Sequence, residues 1–347
     1  MKTWLIVLGV VAVVAAGVMF VKPPAPVIIV KPEHVFSLGA LEVTNTMFTS
    51  WCVVAVLVIT SYFVGKNVSV VPSGFSGAIE ALVSGFYGIV ESVAGENARK
   101  FFWVVTTIFL YVLTSNYFGL LPINGIVGKP EPGEGAKQVV FRQTEFLGMP
   151  VAYIPNAPKE CQGEACPTHA EGHAAAAEPA AKTGEAHAVE AAPGEFSGLL
   201  SPFFRSVNTD VNTPLAIAIF SFIFVEFWGL SALGPGYLKK FFAVDAFKKG
   251  PLGVIDIFVG LLEFVSELSR MVSFTFRLFG NIFAGEVLLT MMMFLVPFVL
   301  VDVFFGLELF VGLIQAFVFA MLTLVFAQTA VAHHGGGEHE GHGESHH

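Results

Sequence analysis

Five apolar runs, at 47–64, 101–121, 214–233, 252–297 and 303–332, are each long enough to cross a bilayer, given that a spanning helix takes roughly 17–25 residues. In hydrocarbon every backbone N–H and C=O must be satisfied inside its own segment, so runs of this length are predicted to be helices. Composition points the same way. The 347 residues are 54% hydrophobic and 13% charged, about half the charged share of a soluble domain. Such a chain cannot cover itself with polar surface, and the lipid bilayer is its expected surroundings. The net charge of −9 and the lack of a basic stripe argue against a nucleic-acid partner. Three cysteines are too few for a disulfide framework.

The run at 252–297 would measure ~69 Å as one helix, about twice the hydrocarbon thickness. No proline interrupts it and its polar residues keep a helical phase, so a single steeply tilted helix is expected. Residues 73–95 differ in kind. Phe75, Ile79, Leu82, Val83, Phe86, Ile89, Val90 and Val93 share one stripe, with Glu80, Ser84, Tyr87 and Glu91 off it. That pattern predicts a helix lying at the membrane surface or against other helices. The expected fold class is an all-α integral membrane protein with about five to six membrane helices. It includes a long, steeply tilted C-terminal helical hairpin and one interfacial amphipathic helix.

The chain divides further by composition. Residues 1–22 read equally as a cleaved signal peptide or a retained N-terminal membrane helix. Residues 40–122 hold the first membrane helices, 123–200 an extracytoplasmic and partly disordered insertion, 201–332 the helices with intramembrane charges, and 333–347 a His/Gly-rich tail. Lys66, Arg99 and Lys100 flank one connection and Lys239, Lys240, Lys248 and Lys249 crowd another. Both are expected on the cytoplasmic side, which puts 123–212 outside and the C-terminus inside. Within the outer connection, 156–195 is rich in Ala, Glu, His and Pro and is expected to be disordered. Cys161, Cys166, His169 and His173 could bind a metal or form a local disulfide, although the spacing is not that of a zinc finger. His333, His334, His339, His342, His346 and His347 read as a solvated tail.

Two basic residues, Arg270 and Arg277, interrupt the long apolar stretch between 252 and 332. An arginine cannot shed its proton, and a charge at mid-bilayer costs at least ~2.5–3.5 kcal/mol. Arg277 is therefore either a functional charge or half of a structural pair. At ~100° per residue, Glu263, Glu267, Arg270 and Arg277 lie within ~80° of one another, while Glu286 points to the opposite face. Glu263 lies ~21 Å to one side of Arg277 and Glu286 ~13.5 Å to the other. Two acid-lined approaches are thus separated by a fixed positive charge, an arrangement suited to moving a small cation that dwells on something mobile between them. On the last run Glu308 and Gln315 share a face. In an antiparallel hairpin Glu308 comes level with Glu286 and Gln315 with Arg277, so Gln315 is expected to offer its carbonyl to the guanidinium. Glu308 alone also reads as an interfacial acid, and Glu226 as a partner in a structural pair.

SFTFRLFGNIFAGE at 273–286 and IQAFVFAMLTL at 314–324 closely resemble subunit a of the F-type ATP synthase. DVNTPLA at 210–216, AIEALV at 78–83 and NYFGLLP at 116–122 support this, and the resemblance covers 40–122 and 200–332 in order. It implies a non-catalytic stator that forms two offset half-channels, grips a rotating ring of c subunits and contacts the peripheral-stalk b subunits. It implies residence in the bacterial plasma membrane and no cofactor or metal. Arg277 matches the family's essential arginine. Asn281, Glu286 and Gln315 match the outer half-channel and the surroundings of the arginine, Asp210 and Asn212 the polar start of the preceding span, and Glu263 the acid of the cytoplasmic half-channel. Family members vary between His and acid at the positions of Glu286 and Glu308, and both are Glu here. The chain has no G-x-x-x-x-G-K-[ST] loop, so nucleotide chemistry is expected on the F1 partner subunits. The transported ion is expected to be H⁺, with Na⁺ left open. An unrelated secondary cation transporter is the rival from another class; it predicts inverted repeats and broken helices, and neither is visible.

Overall fold

A computed structural model describes residues 30–39, 41–66, 74–121, 124, 128–131, 138–146, 149–153, 160–161, 195–234, 237, 253–296 and 299–332, together with Gly9. The helices are α1 (Asn45–Lys66), α2 (Gly74–Ala94), α3 (Ala98–Gly119), α4 (Asn212–Leu233), α5 (Gly253–Leu295) and α6 (Val299–Ala332). Five helical stretches among the described residues are long and apolar enough to cross a membrane, with α2 and α3 counted as one stretch. This is a multi-pass membrane protein. The long run is a single unbroken α5, as its phase required.

Contacts fall into two compact units. The first comprises Met1–Cys52, Asn116–Asp210 and Ile282–Phe310, the second Val53–Ser115, Val211–Asn281 and Val311–His347. In the second unit the core is aromatic and closely approached. Phe86 of α2 stacks on Phe109 of α3 at 4.5 Å and meets Phe317 of α6 edge-on. Phe101 of α3 packs on Trp228 of α4 at 4.7 Å, and Phe274 of α5 on Phe319 of α6 at 5.0 Å. Ala316, Ala320 and Ala327 are fully buried on α6; small residues at such spacing let membrane helices approach closely. Buried α4 positions Pro214, Ala218, Ser221, Val225 and Gly229 recur every three or four residues, whereas Ile219, Phe220, Ile223 and Phe227 face outward.

The amphipathic stripe predicted at 73–95 is split by the fold. Phe86, Val90 and Ala94 are buried, whereas Phe75, Leu82, Ile89 and Val93 of the same stripe stay exposed. Of the two placements left open, the ring contacts of Phe86 show packing against other helices. Gly95, at φ 53°, turns the chain from α2 into α3, a conformation that costs a residue with a Cβ.

Two antiparallel sheets add to the helices, and the sequence reading anticipated neither. In the first unit β1 (His34–Leu38) and β2 (Leu41–Thr44) form a hairpin leading directly into α1. Between α3 and α4, β3 (Gly128–Glu131), β4 (Gln138–Phe146), β5 (Met149–Tyr153), β6 (Glu160–Cys161) and β7 (Glu195–Pro202) form a five-stranded sheet in the order β5-β3-β7-β4-β6. The expected disorder at 156–195 is thus corrected at Glu160–Cys161 and at Glu195, both of which pair with β4. The reason is β4 itself: Val139, Val140, Phe141 and Thr144 are strong strand formers, overshadowed by the Ala/Glu-rich stretch downstream. Residues 162–194, with Cys166, His169 and His173, lie outside the described residues, as do the tail at 333–347 and all of 1–22 except Gly9.

Candidate functional site

In the first unit a polar cluster assembles where the chain enters α4. Arg205, Ser206, Asn208, Thr209 and Asp210 are all buried, together with Asn45, Thr46 and Thr49 at the start of α1 and Asn116 near the end of α3. Aromatic packing of Phe204 against Phe48 and Phe118 fixes the approach. Thr46 donates its hydroxyl to the Asp210 carboxylate at 3.0 Å. The Thr49 hydroxyl donates to the Asn45 carbonyl and accepts the Arg205 backbone N–H at 3.2 Å. Asn208 donates to the Asn116 side-chain oxygen at 2.7 Å. So dense a set of buried polar groups is costly unless satisfied, and once satisfied it is rigid.

Arg205 gives this cluster its charge. Its Nη1 donates to the Lys31 carbonyl at 3.2 Å, and its Nε stands 3.5 Å from Glu286 Oε1. Glu308, 7% exposed, lies against Gly285, beside Glu286 in sequence. The hairpin register expected for Glu308 is therefore present, but the partner of Glu286 is Arg205, which sequence reasoning missed. A lone arginine in a loop between apolar runs gave no periodic signal. Only its place five residues before Asp210, in the approach to a polar helix start, could have drawn notice.

In the second unit Arg277 is exposed and, among the described residues, makes no hydrogen bond or ion pair. Its neighbours Val272 and Phe276 are 52% and 59% exposed. One turn further along α5, Asn281 donates to Gln315 Oε1 at 2.8 Å. This corrects the expectation that the Gln315 carbonyl would serve Arg277: Asn281 occupies it. Glu263 is half-exposed and Asn212 is exposed at the start of α4. The ~80° spread predicted for the acidic face divides its members. Glu267 is buried and accepts a 2.8 Å hydrogen bond from Arg270, whose guanidinium lies over the Phe326 ring at 4.5 Å, a contact worth about 0.5–2 kcal/mol.

Glu226, read in the sequence as a partner in a structural pair, shares a side-chain hydrogen bond with Tyr237. The Tyr237 ring packs against Gly229. Burial pushes its hydroxyl well above the ordinary phenol range, and the hydrogen-bonded Glu226 carboxylate pushes the same way. The phenol therefore remains a donor across the physiological range. Among the described residues no group of three His, Cys, Asp or Glu side chains is placed to hold a metal.

A family model described as ATP synthase A chain matches residues 47–328. The ATP synthase subunit a of Moorella thermoacetica is 24% identical over 306 residues, covering 88% of this chain and 99% of that protein. The corresponding subunit of Desulfosudis oleivorans is 25% identical over 290 residues, covering 82% and 86%. That of Nitratidesulfovibrio vulgaris is 25% identical over 295 residues, covering 85% and 89%.

Proposed function

The chain belongs to the ATP synthase A chain family, and we propose that it is the stator that passes H⁺ to and from the carboxylates of a rotating ring of c subunits. Catalysis at nucleotide belongs to other subunits of the complex. The observation that carries the reading is Arg277. A guanidinium on an exposed face flanked by Val272 and Phe276 is poorly suited to lipid, because an arginine keeps its charge there. It is well suited to a passing carboxylate on another chain. That carboxylate ionises as it meets Arg277, and the fixed charge keeps protons from crossing directly.

In this reading Arg205, Asp210, Glu286 and Glu308 line the outer half-channel and Glu263 the inner one. The bond from Asn281 to Gln315 braces the turn of α5 that follows Arg277, and Asn212 opens the polar start of α4. The half-channel residues are acids, which take up and release protons, in company with polar groups that hold them in place. The lysine-bearing connections face the cytoplasm, with the C-terminus, and the β3–β7 segment lies outside. The peripheral-stalk b subunits hold the chain still against the turning ring.

The test is Arg277→Ala in the reconstituted complex, with subunit content verified before flux is measured. ATP-driven pumping is expected to be abolished, and passive proton leak to rise because the barrier is gone. Arg277→Lys is expected to lose most coupling, since lysine gives up its proton more readily when desolvated. An assembled Arg277→Ala complex that still pumps would sink the reading.

A further inference from the structure

Arg205 is 7% exposed and held from its backbone to its guanidinium. Its N–H donates to the Thr49 hydroxyl at 3.2 Å, its Nη1 donates to the Lys31 carbonyl at 3.2 Å, and its Nε stands 3.5 Å from Glu286 Oε1. An arginine so placed keeps its proton and cannot swing clear of the acid. The outer half-channel of the reading above therefore contains a fixed positive charge. Acids and water are enough to hand on a proton, so that reading leaves Arg205 without a task of its own.

The oxygens of the cluster divide into two groups. Asp210 accepts from the Thr46 hydroxyl at 3.0 Å, the Asn45 side-chain oxygen from the Thr46 N–H at 2.9 Å, and the Asn116 side-chain oxygen from Asn208 at 2.7 Å. Glu286 Oε2, Asn208 Oδ1 and Ser206 Oγ are buried and have no hydrogen-bond partner among the described residues. A proton and a metal cation ask different things of such a set. A proton takes one lone pair and becomes part of an O–H bond, and waters donating to the open oxygens can deliver it. A hard cation such as Na⁺ keeps its whole charge and needs a shell of several oxygens. Glu286 cannot offer it both of its own, because Oε1 faces the guanidinium. The ion would also stand near a like charge where water screens weakly, and basic side chains in a pore turn metal cations away.

We propose that Arg205 is the specificity-determining residue of the outer half-channel, admitting H⁺ and excluding Na⁺ by occupying Glu286 Oε1 and leaving Oε2 open to a single proton. The step is a proton transfer alone. An O–H bond breaks on a water as one forms at Glu286 Oε2, and the proton leaves the same way. The other charged side chains of the cluster are Asp210, in the same approach to α4, and Glu308 of α6, which lies against Gly285. Both are acids, so Arg205 is what separates this cluster from an acid-lined site that would welcome a metal cation. The proposal rests on the proton-passing reading above and adds to it which ion the outer side lets in.

The test uses the whole complex in phosphatidylcholine vesicles, with equal concentrations of NaCl or choline chloride on both sides so that screening is matched. ATP-driven proton pumping per assembled complex is compared between the two salts, which makes each variant its own control. Wild type is expected to pump equally in both. Arg205→Gln should pump several-fold more slowly in NaCl than in choline chloride, because Na⁺ now seats at Glu286 and blocks it, and Arg205→Lys should keep the indifference of wild type. A brace without a part in selectivity would slow pumping by the same factor in both salts, so equal rates in assembled Arg205→Gln would overturn the proposal. A wild type that Na⁺ slows or drives would overturn it as well. Should Arg205→Gln fail to assemble, Arg205→His decides, because imidazole is charged below and neutral above about pH 6.5. Slowing by Na⁺ is then expected only on the alkaline side, and a salt ratio that does not change with pH would count against Arg205. Continued pumping by Arg277→Ala would remove the stator reading, whereas the salt ratio is measured with Arg277 intact, so the two failures can be told apart.

Discussion

At Gly285 the lack of a side chain decides where Glu308 can stand. A Cβ there would collide with the Glu308 carboxylate. The obstacle is the far end of a flexible side chain, and alanine is favoured over glycine within a helix by roughly 0.8–1.0 kcal/mol. Gly285→Ala is therefore expected to fold and assemble at least as well as wild type while displacing Glu308. Proton flux should fall several-fold with no loss of thermal stability in detergent. A normal flux would mean that the position of Glu308 is immaterial. The Arg205–Glu286 pair at 3.5 Å is expected to differ, its loss lowering stability as well as flux. Removing one partner of a fully buried pair costs about 3–5 kcal/mol, and since the Glu286 side chain is 39% exposed, the expected cost of Arg205→Ala lies below that range. Lower yield together with reduced flux is the expected outcome, and wild-type stability with wild-type flux would refute the pairing.

Among the elements, the C-terminal end of α3 shows how the polar cluster is held. Gly119 faces Ser206 so closely that a Cβ would come 2.7 Å from the Ser206 Cβ and 3.2 Å from its Cα. Backbone cannot step aside as a carboxylate can. Gly119→Ala is expected to destabilise the protein by about 1–3 kcal/mol, read as a lower denaturation midpoint in detergent, and an unchanged midpoint would mean the two segments separate at little cost. Helix existence and extent were legible in the sequence because length and hydropathy act locally: α5 runs unbroken where no proline interrupts its phase. Phase also showed that Glu263, Glu267, Arg270 and Arg277 cluster on α5. It could not show which of them would be buried, since an ~80° spread crosses from core to surface. The partners of Glu286 and Glu226 were illegible for a different reason. Arg205 and Tyr237 stand in connections, where no periodicity reports what a side chain will meet, and Gln315 could be placed on its face but not assigned to Asn281.

For the molecule as a whole, the connection between α3 and α4 separates into a part with a framework and a part that composition alone describes. The five strands supply their own ladder, including Phe141 opposite Phe196 and Arg142 opposite Glu195. Residues 162–194 are dominated by Ala, Glu, Gly and His, and the expectation from that composition is too little apolar surface to offset about 1–2 kcal/mol of backbone entropy per ordered residue. A deletion that respects this division should remove 162–194 and join β6 to β7 through a short Gly/Ser linker. Cutting all of 156–195 would also take Glu160–Cys161, paired with Gln138 and Val139, and Glu195, so it would damage the sheet. The smaller deletion is expected to leave assembly, ATP-driven pumping and its sensitivity to Arg277→Ala near wild type, because the polar cluster, α5 and α6 all lie outside the deleted residues. The larger deletion should lower the amount of assembled complex while leaving flux per complex unchanged. The measurement is subunit content followed by pumping rate in vesicles. Loss of coupled pumping in fully assembled complexes lacking only 162–194 would show that this segment takes part in transport, contrary to what its composition implies.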